Sequence, residues 1–302
     1  GMNAITEKQE FDYVVVGAGS AGCVIAARLS ENPSNRVLLL EAGGADRDFW
    51  LHIPVGYGRT IARSDVNWMF ETEPNPALGG RRIFWPRGKV LGGSSSINGL
   101  IYIRGQAEDY DLWRQAGNAG WGYEDVLPYF RKAEDQQNGA DAWHGTGGPL
   151  AVTNLTERNP LCDAFIASAE ALGIPHNPDF NGRSQEGAGY YQATIRRGRR
   201  ASASVSYLRP ARKRANLTVL TGVAARKVLF EGRRAVGLLA RREEGMIEFR
   251  ARREVILSAG SVKSPQLLML SGLGDPDVLR AFDIDVVHPL AGVGQNLQDH
   301  YG

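Results

Sequence analysis

One short stretch limits the possible folds of this chain more than any other. The apolar run Phe11 to Val16 passes into Gly17-Ala18-Gly19-Ser20-Ala21-Gly22 and then into helix-forming residues. That order reads as strand, tight turn, helix. The first glycine releases the chain sharply from the strand. The second lets a pyrophosphate approach the backbone, and the third brings the helix close to the strand. The helix start offers free N–H groups and a partial positive charge to phosphates. Val37-Leu38-Leu39-Leu40-Glu41 follows as a second apolar strand ending in an acid, 19 residues after Gly22. A carboxylate there can accept hydrogen bonds from a ribose. The unit therefore predicts dinucleotide binding.

The rest of the composition narrows the class. The chain has 302 residues, with 35 basic and 33 acidic side chains. This near-balance argues against nucleic-acid binding or a polyanionic partner. No apolar run approaches the length needed to span a bilayer. The first ten residues are polar and lack a signal-peptide core, and Gly1 ahead of Met2 reads as a tag-cleavage scar. Cys23 and Cys162 are the two cysteines. They give neither zinc spacing nor a disulfide framework, so no metal is expected and the expected location is the cytoplasm. Cys23 reads as a small core residue of the first helix.

Ala21, Val24, Ile25 and Leu29 give the first helix an apolar face. Residues 43 to 86 carry Phe49, Trp50, Tyr57, Trp68, Phe70, Phe84 and Trp85 without a lasting period. They read as a long surface excursion, a lid or a set of aromatic anchors. Residues 106 to 135 read as helical, and His144-Gly145-Thr146-Gly147 as a turn before the strand Leu150-Ala151-Val152. Asn159-Pro160 opens a helix with Leu161, Phe165, Ile166, Ala169 and Leu172 on one face, ended by Gly173. Gly189 to Thr194 reads as a strand. Arg196, Arg197, Arg199 and Arg200 read as a solvated basic turn. Strands are expected at Leu217–Leu220, Arg226–Phe230, Ala235–Leu239, Ile247–Arg250 and Val255–Leu257, with a hairpin turn at Glu231-Gly232-Arg233.

A second glycine-rich cradle lies at Gly92-Gly93, followed by Ser94-Ser95-Ser96 and Asn98. Exposed N–H groups, hydroxyl donors and an amide suited to a heterocycle edge suggest a long ligand gripped at both ends, which favours FAD over NAD. The stretch Gly88 to Asp111, and Gly260-Ser261-Val262-Lys263-Ser264-Pro265-Gln266 running on to Gly274, resemble the two signatures of the glucose–methanol–choline (GMC) flavoprotein oxidoreductases. Glu71, Pro74, Pro86-Arg87-Gly88 and the closing Gly292 to His300 are similar to the family as well. Within it, the chain looks most like the choline dehydrogenase branch.

The resemblance implies an α/β fold. It would be an FAD-binding Rossmann-like (GMC/p-hydroxybenzoate-hydroxylase-like) domain with part of an α+β substrate-binding domain. Residues 11–155 and 213–302 would form the FAD-binding parts, and 156–212 a segment of the substrate domain. The implied cofactor contacts are Gly17, Gly19, Ser20, Ala21, Gly22, Glu41, Ala42, Val90, Gly93 and Ser94 on one side. Asn98, Gly99, Leu100 and Ile101 would meet the isoalloxazine. Val223 would hold the adenine through its backbone, and Ala259 and Gly260 would lie near the pyrophosphate. The choline oxidase branch attaches flavin to a histidine where this chain has Ile97, so non-covalent FAD is expected. The implied chemistry is oxidation of a small-molecule alcohol by hydride transfer to flavin N5. Family members run past the position of Gly302, and none of His52, His144, His176, His288 and His300 lies in the context of their catalytic histidine. The catalytic pair and the rest of the substrate domain are therefore expected beyond this chain, which alone is expected to be inactive. The alternatives are a hydroxynitrile lyase with non-redox FAD, a non-catalytic FAD-binding fragment and, disfavoured by the second cradle, a nicotinamide dehydrogenase.

Overall fold

The first strand, β1 (Lys8–Val16), turns at Gly17 into α1 (Ser20–Leu29), and the chain returns as β2 (Val37–Glu41). The structure is a computed structural model that describes residues 8–300. The readings made on residues 1–7, including Gly1 and Met2, and on residues 301 and 302 lie outside it. Residues 43–86 hold only single helical turns and two short paired strands, β3 (Phe70–Glu71) and β4 (Phe84–Trp85). The next elements are β5 (Ile101–Tyr102), α2 (Ala107–Gln115), α3 (Tyr123–Ala133), β6 (Glu134–Gln136), β7 (Leu150–Asn154) and α4 (Pro160–Ala171). Three short strands follow, β8 (Gln192–Ala193), β9 (Ile195–Arg196) and β10 (Arg199–Arg200). Then come β11 (Leu217–Thr221), β12 (Ala224–Glu231), β13 (Arg234–Arg242), β14 (Gly245–Leu257) and α5 (Gly260–Leu270).

The chain divides into two compact units. The first takes the residues up to Leu51, then Gly56–Ile97, then everything from Ser202 on; the second takes His52–Val55 and Asn98–Ala201. The sequence reading cut the chain at 155/156 and 212/213. The compact division falls earlier because β5, β7 and β8 share one sheet, which ties residues just after 98 to residues near 193.

The first unit is a six-stranded sheet in the order β11-β2-β1-β14-β13-β12. β11, β2, β1 and β14 run parallel, and β13 and β12 continue antiparallel. β2 is buried at all five positions, as a strand covered on both faces must be. Phe11, Val14, Val16, Leu38, Leu40, Leu238, Ile247 and Phe249 form its core. Each such side chain contributes about 1.5–3 kcal/mol by leaving water. The two strands expected at 247–250 and 255–257 are one strand of 13 residues. β1 pairs along both halves of it, and the register shifts at its polar middle through a bulge between Phe11 and Tyr13. Cys23 is fully buried and its thiol is pushed up to about 12 by burial, in keeping with a core role.

The second unit carries a four-stranded sheet, β5-β8-β7-β6. The strand expected over Gly189–Thr194 shortens to the two residues of β8. The Asn159 side chain caps α4, accepting from Leu161 N at 2.9 Å. Its apolar stripe is nonetheless exposed at Leu161, Phe165 and Leu172. The basic run is not uniformly a solvated turn. Arg196, Arg197 and Arg199 are exposed on the β9–β10 hairpin, while Arg200 is 2% exposed.

Candidate functional site: a groove at the first glycine turn

The first unit holds a groove of about 780 Å³ at the carboxyl ends of β1, β2 and β14, where parallel sheets bind ligands. Of the residues expected to contact a cofactor, Gly17, Gly19, Ser20, Ala21, Glu41, Ala42, Gly93, Ser94, Val223, Ala259 and Gly260 line it. Gly22 lies behind the turn and is buried: a Cβ there would sit 1.7 Å from Gly17 O, so only glycine lets α1 pack so close. Val90 is also buried and lies outside the lining, with Gly44 as its bridge partner. Asn98, Gly99, Leu100 and Ile101 belong to the second unit and are not part of this groove.

Two glycine segments build the walls. At Gly17, with φ +93°, a Cβ would lie 2.5 Å from Ser258 O. The β1 turn and the β14 exit thus approach at a distance no side chain permits. Gly93 from the second cradle meets Gly19 in the same way, so both glycine-rich stretches open onto one cavity. Val223 is held by its backbone, N–H to Glu41 O at 3.0 Å.

Glu41 does more than end a strand. It is 6% exposed, and its two carboxyl oxygens accept Ala18 N at 3.0 Å and Gly43 N at 2.9 Å. It staples the glycine turn to the exit of β2. Burial pushes its pKa up to about 7 against those two backbone donors. Each carboxyl oxygen accepts one backbone N–H and has a further lone pair for a ribose hydroxyl.

Sequence reasoning left out part of the lining. Trp68 and Phe70, read only as loop aromatics, face the groove, as do Lys89, Arg226 and Lys263. Trp68 and Phe70 stack with centroids 5.7 Å apart. Lys89 and Lys263 belong to the two motif stretches, but nothing in their spacing pointed to a shared lining.

A second polar cluster lies within the other unit. His144, read as a turn histidine, is 3% exposed. Its Nδ1 lies 2.7 Å from Glu134 Oε1 and its Nε2 lies 2.6 Å from Asp179 Oδ2. Glu134 also accepts from Arg104. The bonds to Asp179 and then Glu134 raise the His144 pKa to about 9. Ligand atoms of Asp141, His144 and Asp179 fall within 4.8 Å of one another. With both ring nitrogens against carboxylates, the protonated imidazole bridges Glu134 and Asp179.

The GMC oxidoreductase family matches residues 11–302. The mitochondrial choline dehydrogenase of Mus musculus is 48% identical over 300 residues, covering 97% of this chain and 50% of that protein. The oxygen-dependent choline dehydrogenase of Photobacterium profundum is 49% identical, covering 96% and 51%. Pyridoxine 4-oxidase from Mesorbium loti superposes with a TM-score of 0.87 at 39% identity, over 91% of this chain and 54% of that one. A formate oxidase of Aspergillus oryzae RIB40 gives 0.89 at 29% identity, over 98% and 53%. The chain spans about half the length of the curated relatives it matches. No described helix is long and apolar enough to cross a membrane. With one sheet, two glycine cradles and an acid at the end of β2 converging on a single groove, and this match along nearly its whole length, the chain belongs to the GMC oxidoreductase family.

Proposed function

We propose that the groove of the first unit holds the ADP half of FAD, and that the protein to which this chain belongs oxidises an alcohol at its CH–OH carbon. The observation that carries the reading is Glu41, buried at the groove with carboxyl acceptor capacity left, directly beside the Gly17–Gly19 turn. A ribose needs an acceptor there, and a diphosphate needs the small residues next to it. The groove volume suits a dinucleotide half and its neighbouring phosphates. Gly17, Gly19, Ser20, Ala21, Gly93 and Ser94 would take the diphosphate, and Val223 the adenine. Asn98, Gly99, Leu100 and Ile101 are proposed as flavin-side contacts on the family resemblance. When bound, the flavin supplies the electron chemistry, accepting a hydride from the alcohol carbon. This chain's own residues bind and orient it.

The attachment is non-covalent in this reading. Ile97, at the position of the branch's linking histidine, is buried with Leu51, Val66 and Val90, and its aliphatic carbons cannot form such a bond. The named relatives act on choline, which makes choline the first alcohol to try. A cytoplasmic location stays part of the proposal; the free Cys23 and Cys162 are compatible with it. The test is the visible spectrum of the purified protein, repeated on the supernatant after acid precipitation. Flavin bands that move into the supernatant support the reading. Flavin retained in the pellet overturns non-covalent attachment, and failure to take up added FAD overturns the cofactor assignment.

A further inference from the structure

Besides Arg87, three cations line the groove, where the one carboxylate among the lining residues, Glu41, lies within electrostatic reach of Lys89. Lys89, Arg226 and Lys263 make no ion pair among the described residues, although acids are nearly as numerous as bases in the chain. Two of the three sit on one ring. The Lys89 ammonium lies 4.5 Å and the Lys263 ammonium 4.3 Å from the Trp68 centroid, and Lys263 is also 5.4 Å from Phe70. An indole quadrupole attracts one ammonium, but two on the same indole repel each other. Burial, then Arg226 and Lys89, hold the Lys263 ammonium below the usual lysine range. The groove therefore concentrates more positive charge than its one lining carboxylate, Glu41, can balance. Such concentration costs folding energy and is relieved by an anion.

The geometry points to Trp68, Lys89 and Lys263 as a receiving stack for the ligand diphosphate, in which the indole holds the two ammoniums facing the groove until phosphate oxygens take them. This rests on the nucleotide reading of the same groove and adds to it residues outside the glycine turn. Phosphate oxygens give each ammonium charge-assisted hydrogen bonds that an aromatic face cannot. Adenosine, which lacks the phosphates, should not engage the stack.

The experiment uses ADP and adenosine as probes on the purified chain, with calorimetry and tryptophan fluorescence. ADP should bind and change the fluorescence, and Trp68→Phe should remove that change. Lys263→Gln and Lys89→Gln should each weaken ADP about tenfold and leave adenosine unaffected. Lys263→Arg should keep most of the affinity. Equal ADP binding by wild type and both glutamine variants would overturn the stack while leaving the groove a nucleotide site. Equal weakening of ADP and adenosine would also overturn it, by showing a general distortion. Failure of the wild type to bind ADP, adenosine or FAD would overturn the groove reading and the stack together.

Discussion

Arg200 clamps Asn98 twice: Nη1 donates to the Asn98 side-chain oxygen at 2.9 Å and Nη2 to its backbone oxygen at 2.8 Å. The Asn98 side-chain oxygen also accepts Leu100 N at 3.0 Å, and Leu100 O accepts Thr194 N at 2.9 Å. Leu100 sits at φ +71°, a conformation that costs a non-glycine residue about 1–2 kcal/mol. The clamp holds that turn in place. Arg200→Met should therefore destabilise the chain by about 1–3 kcal/mol in urea unfolding, because two charge-assisted hydrogen bonds from the buried guanidinium to the turn are lost. Arg200→Lys should not restore it, since one ammonium cannot reproduce the planar fork.

Gly93 and Gly19 cannot accept a methyl group between them. A Cβ on Gly93 would lie 2.7 Å from Gly19 Cα, backbone against backbone, and Gly93 has φ +55°. Gly93→Ala should lower FAD or ADP affinity more than tenfold and cost about 1–3 kcal/mol of stability. Gly99 has open space around its Cβ position. Gly99→Ala is the control and should stay within about 0.5 kcal/mol of wild type in the same unfolding curves.

Nucleotide affinity should depend on pH through Glu41. Its folded pKa, about 7, lies above the ordinary 4.5. Between these values the folded state holds a proton the unfolded state has lost, so stability contributed by this group falls as pH rises from 4.5 to 7. Ribose hydroxyls donate to the anion, so binding FAD favours deprotonation. Affinity should rise between pH 6 and 8, with a proton released on binding. Calorimetry in buffers of different ionisation enthalpy reads that proton, and Glu41→Gln should abolish it.

His144 sets the opposite slope for the second unit. Its pKa is raised from 6.5 to about 9. The stabilisation is complete below 6.5 and is lost as pH climbs through 9. Burial raises the Asp179 carboxyl, but the His144 hydrogen bond and charge, Asn181 N–H and Arg104 together outweigh it and hold it below the usual carboxylate range, so that contribution is lost only in acid. Amide exchange around Arg104, Glu134 and Asp179 should accelerate between pH 7 and 10. His144→Gln should flatten that profile and cost about 3 kcal/mol at pH 6.

Local patterns carried much of this. The turn from β1 into α1, the acid ending β2 and the cap at Asn159 each sit within a few residues of the feature they specify. β14 did not read as one strand because Arg252, Arg253 and Glu254 interrupt its apolar pattern. They are exposed, and Arg252 is instead satisfied by Asp12 and Glu10 across the sheet. Arg200 was indistinguishable from three exposed arginines beside it. Lys263 and Trp68 come from distant parts of the chain, and no local period encodes their contact.

The sheet order has a consequence for the chain as it leaves the ribosome. β1 and β2 are made first, but their remaining neighbours, β14 and β11, are more than 170 residues away in sequence. At about 5–20 residues per second, the wait for β14 after β2 is roughly 10–40 s. Until its partners arrive, the β1–β2 pair has an open edge on each side, β2 awaiting β11 and β1 awaiting β14. Asn98–Ala201 is complete before either late strand exists. The dinucleotide unit thus closes after Asn98–Ala201, and a nascent chain with an unclosed apolar sheet is the species a chaperone would meet.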